Sequence, residues 1–182
     1  MNTRINLPPV LGDGVVRLDA FTLDDAEAHW LGEDAEMRRR FDDPDPHTPK
    51  SVDLARAAMA RWIKYRAAGG PQLAYAVRVA DGILAGGCEL QRPEVERAHV
   101  SWWVFSAYRR QGFAGRAARL LCRAAFESMA EIRSIEAHID PDNHASRGVA
   151  LSAGFVADGE VVEETWAGAI VTRLRYVLVA RG

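Results

Sequence analysis

The sequence has little of what marks a secreted, membrane or nucleic-acid-binding chain. Only two of its 182 residues are cysteine, Cys88 and Cys122. That is too few for a disulfide framework, and both read as free thiols of a reducing compartment. No uncharged run approaches the roughly 18 apolar residues of a membrane span, and Met1 to Gly14 holds no apolar stretch of signal-peptide type. The expectation is a soluble, cytoplasmic protein with no membrane partner. Excess charge of one sign is also missing: 23 Lys and Arg against 25 Asp and Glu leave a net charge of −2. Such a chain sets up no field that would gather nucleic acid. The Gly-x-Gly-x-x-Gly dinucleotide pattern, the P-loop and the Gly-x-Ser-x-Gly elbow do not occur, which removes Rossmann, kinase and hydrolase readings.

What is present, 48% hydrophobic and 26% charged residues without internal repeats, describes one globular domain over residues 1–182. Val15 to Phe21 reads as a first strand. Thr22, three residues before Asp25, reads as the cap of a short helix to about Leu31. The proline-rich loop from Asp42 to Pro49 leads to a long helix, with Thr48 as cap and Pro49 at its first position, that stops at Gly69-Gly70-Pro71. Leu73 to Ala80 and Ile83 to Gln91 form a hairpin whose Asp81-Gly82 is a type I′ signal.

His99 to Phe105 is the next strand, followed by a helix bearing Ala117, Leu120, Leu121, Ala124 and Ala125 on its apolar side and ending near Met129. Ile135 to Ile139 is a short strand, Ala145 to Ala153 a short helix closed by Gly154, and Phe155 to Glu163 with Ile170 to Ala180 a terminal hairpin. This order predicts mixed α and β structure on one sheet.

The most specific local signal is Arg109-Arg110-Gln111-Gly112-Phe113-Ala114-Gly115, placed between a strand and a helix. Small residues at 112, 114 and 115 let backbone N–H groups approach a phosphate, and the helix start adds partial positive charge. The arginines at 109, 110 and 116 can add charge-assisted bonds, or serve only as solvated helix-entry residues.

Arg109-x-x-Gly112-x-Ala114 resembles the Arg/Gln-x-x-Gly-x-Gly/Ala signature of the GNAT N-acetyltransferase superfamily. Ser101-Trp102-Trp103-Val104-Phe105 before it, Asp140-Pro141-Asp142-Asn143-x-x-Ser146 after it and Ala153-Gly154-Phe155 beyond are similar to the ribosomal-protein-alanine acetyltransferase branch. The resemblance covers roughly Val15 to Val179 and implies an α+β fold. Its mostly antiparallel sheet has about seven strands, splayed between strands 4 and 5, with about four flanking helices.

The resemblance further implies acetyl-coenzyme A in the gap: Val104 and Phe105 pairing with the pantetheine amides, residues 109 to 115 holding the pyrophosphate, and Asn143 bonding the pantetheine arm. Transfer of the acetyl group goes directly to the primary amine of a protein N-terminus or small molecule. Cys88 and Cys122 then need not be nucleophiles. The alternative is a degenerate relative that binds coenzyme A or an acyl form without turnover, as a sensor or interaction module.

Such a transfer needs a base for the attacking ammonium and an acid for the leaving thiolate. His99, on the strand where the family often carries Glu, ranks first as base because an unperturbed imidazole titrates near neutrality. Glu89 on the neighbouring strand is second, acting if burial raises its pKa or through water. Ser146 stands where the resembling branch has its acid, with bonding to the departing sulfur as its role or helix capping as the simpler one.

His138, Asp140, Asp142 and His144 match no zinc or calcium pattern, so no metal is expected. Trp102 and Trp103 should face opposite sides of their strand, and Arg116, Arg119 and Arg123 should line a solvated helix side. The acids of residues 33–45 hint at a cationic acceptor, although a charged loop is more often simply solvated. Trp166 falls in the terminal hairpin beside the expected acceptor site. A homodimer through that hairpin or an open sheet edge is compatible with the sequence, but no motif argues for it.

Overall fold

A computed structural model describes residues 3–43, 45–47, 50–165 and 167–180. The strands are β1 (Leu11–Gly12), β2 (Arg17–Asp19), β3 (Gln72–Arg78), β4 (Leu84–Gln91), β5 (Arg97–Val104), β6 (Ser134–Ile139), β7 (Val156–Glu164) and β8 (Ile170–Val179). The helices are α1 (Asp25–Gly32), α2 (Ala35–Arg40), α3 (Val52–Ala68), α4 (Phe113–Ser128) and α5 (His144–Ser152). All strands join one sheet in the order β1-β2-β3-β4-β5-β6-β8-β7, antiparallel except between β5 and β6.

Turn chemistry sets the hairpins. Asp81 and Gly82 both take positive φ, 59° and 78°, as a type I′ turn requires, and Ile83 N–H closes the turn on the Ala80 carbonyl at 3.3 Å. Gly87 in β4 lets Trp103 of β5 lie on the backbone, since a Cβ there would stand 2.2 Å from the indole. Two cores result. Cys88, Leu90, Ala98 and Val100 pack under α4 and α5, while Phe21, Met59, Ala76 and Trp103 pack under α1 and α3.

Several elements differ from the sequence expectation. The first helix begins at Asp25 with Asp24, not Thr22, at the N-cap position, although Asp25 Oδ2 does accept from the Thr22 N–H at 2.8 Å and hydroxyl at 3.1 Å, the back-reaching half of a capping box. Ser51 caps α3, its hydroxyl accepting from Leu54 N–H at 3.3 Å; the expected cap Thr48 and Pro49 lie outside the described residues, as does Trp166. A further helix, α2, was not expected at all. Its six residues carry one buried apolar side chain, Met37, too little periodicity to be read.

No helix among the described residues is long and apolar enough to cross a membrane. Both cysteines are free and buried. Burial pushes the Cys122 thiol up to about 12 and the Cys88 thiol higher still, so neither is a thiolate nucleophile at neutral pH.

Candidate active site

The sheet is split beside β5. Arg97, Ala98 and His99 pair in parallel with Ser134, Ile135 and Glu136, and the pairing ends there although both strands continue. On its other side β5 stays paired with β4 to Gly86 and Val104. Phe105 N–H donates to the Ala85 carbonyl at 2.9 Å, which fixes the alternation: the peptide groups of residues 103 and 105 face β4, and those of Trp102 and Val104 face the split. This corrects one expectation, because the Phe105 N–H is already used and Trp102 takes its place beside Val104. The Val104 carbonyl also accepts from Arg109 Nε at 3.1 Å.

At the mouth of the split the chain turns sharply into α4. Arg110 at φ 60° and Gly112 at φ 80° are both left-handed, and no Cβ contact crowds Gly112. Among the described residues, none of the backbone N–H groups of residues 110–115 finds a carbonyl partner. Open N–H groups at a helix start form an anion cradle. Arg110 is exposed and makes no ion pair among the described residues, leaving it available to a phosphate. Arg109 instead holds Asp34 at 2.7 Å, Arg116 holds Asp13 at 2.8 Å, and Gln111 Nε2 donates to the Ala107 carbonyl at 3.2 Å. Phe113, Ala114 and Gly115 form the first turn of α4, and Gly115 permits its close approach to Ser152 of α5.

Beyond the split, Asn143 caps α5, its Oδ1 accepting from Ser146 N–H at 3.1 Å. Ser146 is therefore not the cap, and its hydroxyl makes no hydrogen bond among the described residues. Trp102 packs edge-on to Phe155, while Trp103 stands on the opposite face near Phe21 and Trp62.

Glu89, His99 and Ser101 share the face covered by α1 and α3, with Glu89 directly opposite Ser101. Glu89 is buried and has no ion-pair partner among the described residues; Gln72 Nε2 reaches it at 2.5 Å and Gln91 Nε2 at 2.6 Å. Burial raises its pKa, partly offset by those two amides.

His99 does not have the near-neutral imidazole expected from sequence. Burial first, then the charge of His138, pull its pKa down to about 4. Its Nε2 accepts from the backbone N–H of His138 at 3.4 Å. His138 itself lies between Glu163, 2.8 Å from Nδ1, and Glu136, 3.1 Å from Nε2.

Most charges of the acidic segment are paired. Arg40 bonds Asp140 at 3.0 Å and Asp142 at 2.5 Å, Arg173 bonds Asp42 at 2.7 Å and Asp140 at 2.9 Å, and Lys50 bonds Asp43 at 3.1 Å. Asp34 and Glu36 are held by Arg109 and by Arg39 with Arg40. The acidic segment is thus largely neutralised from within, which removes the expected pull on a cationic acceptor. No His, Cys, Asp and Glu group suited to a metal occurs among the described residues.

A split that presents strand-like peptide groups, with an anion cradle at its mouth, fits an extended amide-bearing ligand with a phosphate head. The chain matches the family model for the acetyltransferase (GNAT) domain over residues 16–156 and belongs to that family. Its structure is similar to a Vibrio cholerae protein described as a ribosomal-protein-serine acetyltransferase. The two are 19% identical, with a TM-score of 0.78, covering 97% of this chain and 100% of that one.

It is also similar to the ribosomal L7/L12 alpha-N-protein acetyltransferase RimL in complex with coenzyme A, at 17% identity, TM-score 0.74, and 93% and 97% coverage. Mycobacterium smegmatis RimJ in complex with coenzyme A disulfide gives 21% identity, TM-score 0.71, and 96% and 87% coverage. A comparison with curated proteins gives no significant match.

Proposed function

We propose that this GNAT acetyltransferase transfers acetyl from acetyl-coenzyme A to the primary amine of a protein N-terminus or of a small molecule. The open N–H groups of residues 110–115 beside the split carry the reading. They would hold the pyrophosphate together with Arg110, the split-facing peptides of Trp102 and Val104 would pair with the pantetheine amides, and Asn143 would border the arm. When bound, acetyl-coenzyme A supplies the thioester that the amine attacks.

Glu89 is the base of this account. A buried carboxylate with raised pKa and only neutral hydrogen-bond donors can take the ammonium proton, directly or through water. His99, neutral and with Nε2 engaged, is displaced from that role. The free hydroxyl of Ser146 is the group this chain offers to the departing sulfur. Resemblance to the ribosomal L7/L12 alpha-N-protein acetyltransferase RimL favours a protein N-terminus among the acceptors.

A second reading, a coenzyme-binding module without turnover, draws support from the engagement of His99. Incubating the protein with acetyl-coenzyme A and a panel of N-terminal peptides and small amines, with thiol release as readout, separates the two. Amine-dependent release supports transfer, and binding without release supports the module.

A further inference from the structure

The split between β5 and β6 has a definite starting point, and the residue at that point is His99. In this parallel ladder Ala98 and Val100 turn their peptide groups toward β6, while Glu136 and His138 turn theirs toward β5. After the pairing of His99 with Glu136, the next rung of a continuing ladder would be the His138 N–H on the Val100 carbonyl. That N–H instead donates to the His99 imidazole at 3.4 Å, and the two imidazole rings meet edge to face with centroids 4.7 Å apart.

We infer that His99 is the wedge that opens the coenzyme slot: its side chain takes the N–H that would otherwise zip β5 to β6, and so keeps the Trp102 peptide and the Val104 N–H facing the split unpaired with β6. Three observations converge on this. The pairing stops where the imidazole intervenes. An acceptor Nε2 requires the neutral ring with its proton on Nδ1. And His138 is pinned beside it, its ring nitrogens 2.8 Å from Glu163 and 3.1 Å from Glu136, which holds the His138 backbone N–H against the His99 ring. Arg97 near Glu136 at 3.5 Å and Arg173 on Glu163 complete the charges around the pair. His99 is on this account a positioning residue. The inference rests on the proposal that the coenzyme occupies the split.

Two substitutions test it without any acceptor. Val at position 99 lacks an acceptor and suits a continuous strand, so in His99→Val the His138 N–H can turn to the Val100 carbonyl. Gln can place an oxygen near the lost Nε2, so His99→Gln should keep the wedge. Affinity for coenzyme A is measured on the wild type and both variants, with circular dichroism to show each is folded.

Loss of pairing to the slot peptides should weaken His99→Val about tenfold or more, with His99→Gln within about threefold of wild type. In the wild type, nitrogen shifts should mark Nδ1 of His99 as protonated at neutral pH. Equal affinity of wild type and His99→Val would overturn the wedge, as would equal weakening of both variants. Failure of the wild type to bind coenzyme A would instead sink the coenzyme reading itself.

Discussion

Arg109 and Asp34 meet in a two-pronged ion pair, Nη1 to Oδ2 at 2.7 Å and Nη2 to Oδ1 at 2.8 Å. Asp34 is at the same time the N-cap of α2, accepting from Met37 N–H at 2.8 Å, and Arg109 Nε bonds the Val104 carbonyl beside the split. From the far end of α2, Arg40 and Arg39 reach Asp140 and Asp142, and Asp42 reaches Arg173 of β8. A helix with one buried apolar residue is thus held across the split by charge, tying the β5 side to the β6 and β8 side.

Asp34→Ala removes a cap and a partly exposed ion pair, for a stability loss of about 1–2 kcal/mol. Asp34→Asn keeps a capping oxygen and should lose less than half of that. Urea unfolding of the two variants beside wild type checks the order. Equal losses would mean that the charge contributes and the cap does not.

Gly112 takes φ 80° with open space where a Cβ would stand. Gly112→Ala should therefore cost about 1–2 kcal/mol, from left-handed strain alone. Gly112→Val adds bulk where a pyrophosphate must approach the N–H groups, and should abolish measurable coenzyme binding while the protein stays folded. Retained affinity in the folded Val variant would move the phosphate site elsewhere.

Glu89→Gln should lower turnover about 100-fold, as for loss of a general base, with coenzyme affinity near wild type. The comparison is made with whichever amine gives thiol release in the wild type. Unchanged turnover would return the base role to another group.

His99 gives a pH signature of its own. Its folded value of about 4 lies below the 6.5 of an exposed imidazole, so between these values the unfolded chain binds more protons. The stability from neutral His99 is present above pH 6.5 and is lost as pH falls toward 4, on the order of 3 kcal/mol in full. Urea unfolding at about pH 7 and pH 5 should show a smaller drop for His99→Gln than for wild type. Parallel drops would show that His99 is not the group titrating there.

Local signals were legible where they are strong and short-range. Asp81-Gly82 set the hairpin, Gly112 marked the left-handed entry to α4, and the adjacent tryptophans parted to opposite faces. What escaped the sequence depends on contacts between distant residues. α2 is held by partners such as Asp142, about a hundred residues on, so its own six residues carry no periodic signal. The peptide that faces the split is decided by register with β4, which turns Phe105 toward β4 and Trp102 toward the split. His99 was readable as a titratable strand residue, but its bond to the His138 peptide exists only once β5 and β6 lie side by side.

The most direct measurement is calorimetric titration of the wild-type protein with acetyl-coenzyme A, with ATP and a nicotinamide dinucleotide as controls. The account predicts saturable micromolar binding of acetyl-coenzyme A with a stoichiometry of one, and no comparable heat from either control. No saturable heat with acetyl-coenzyme A, or equal binding of ATP, would contradict the split sheet as a coenzyme A site.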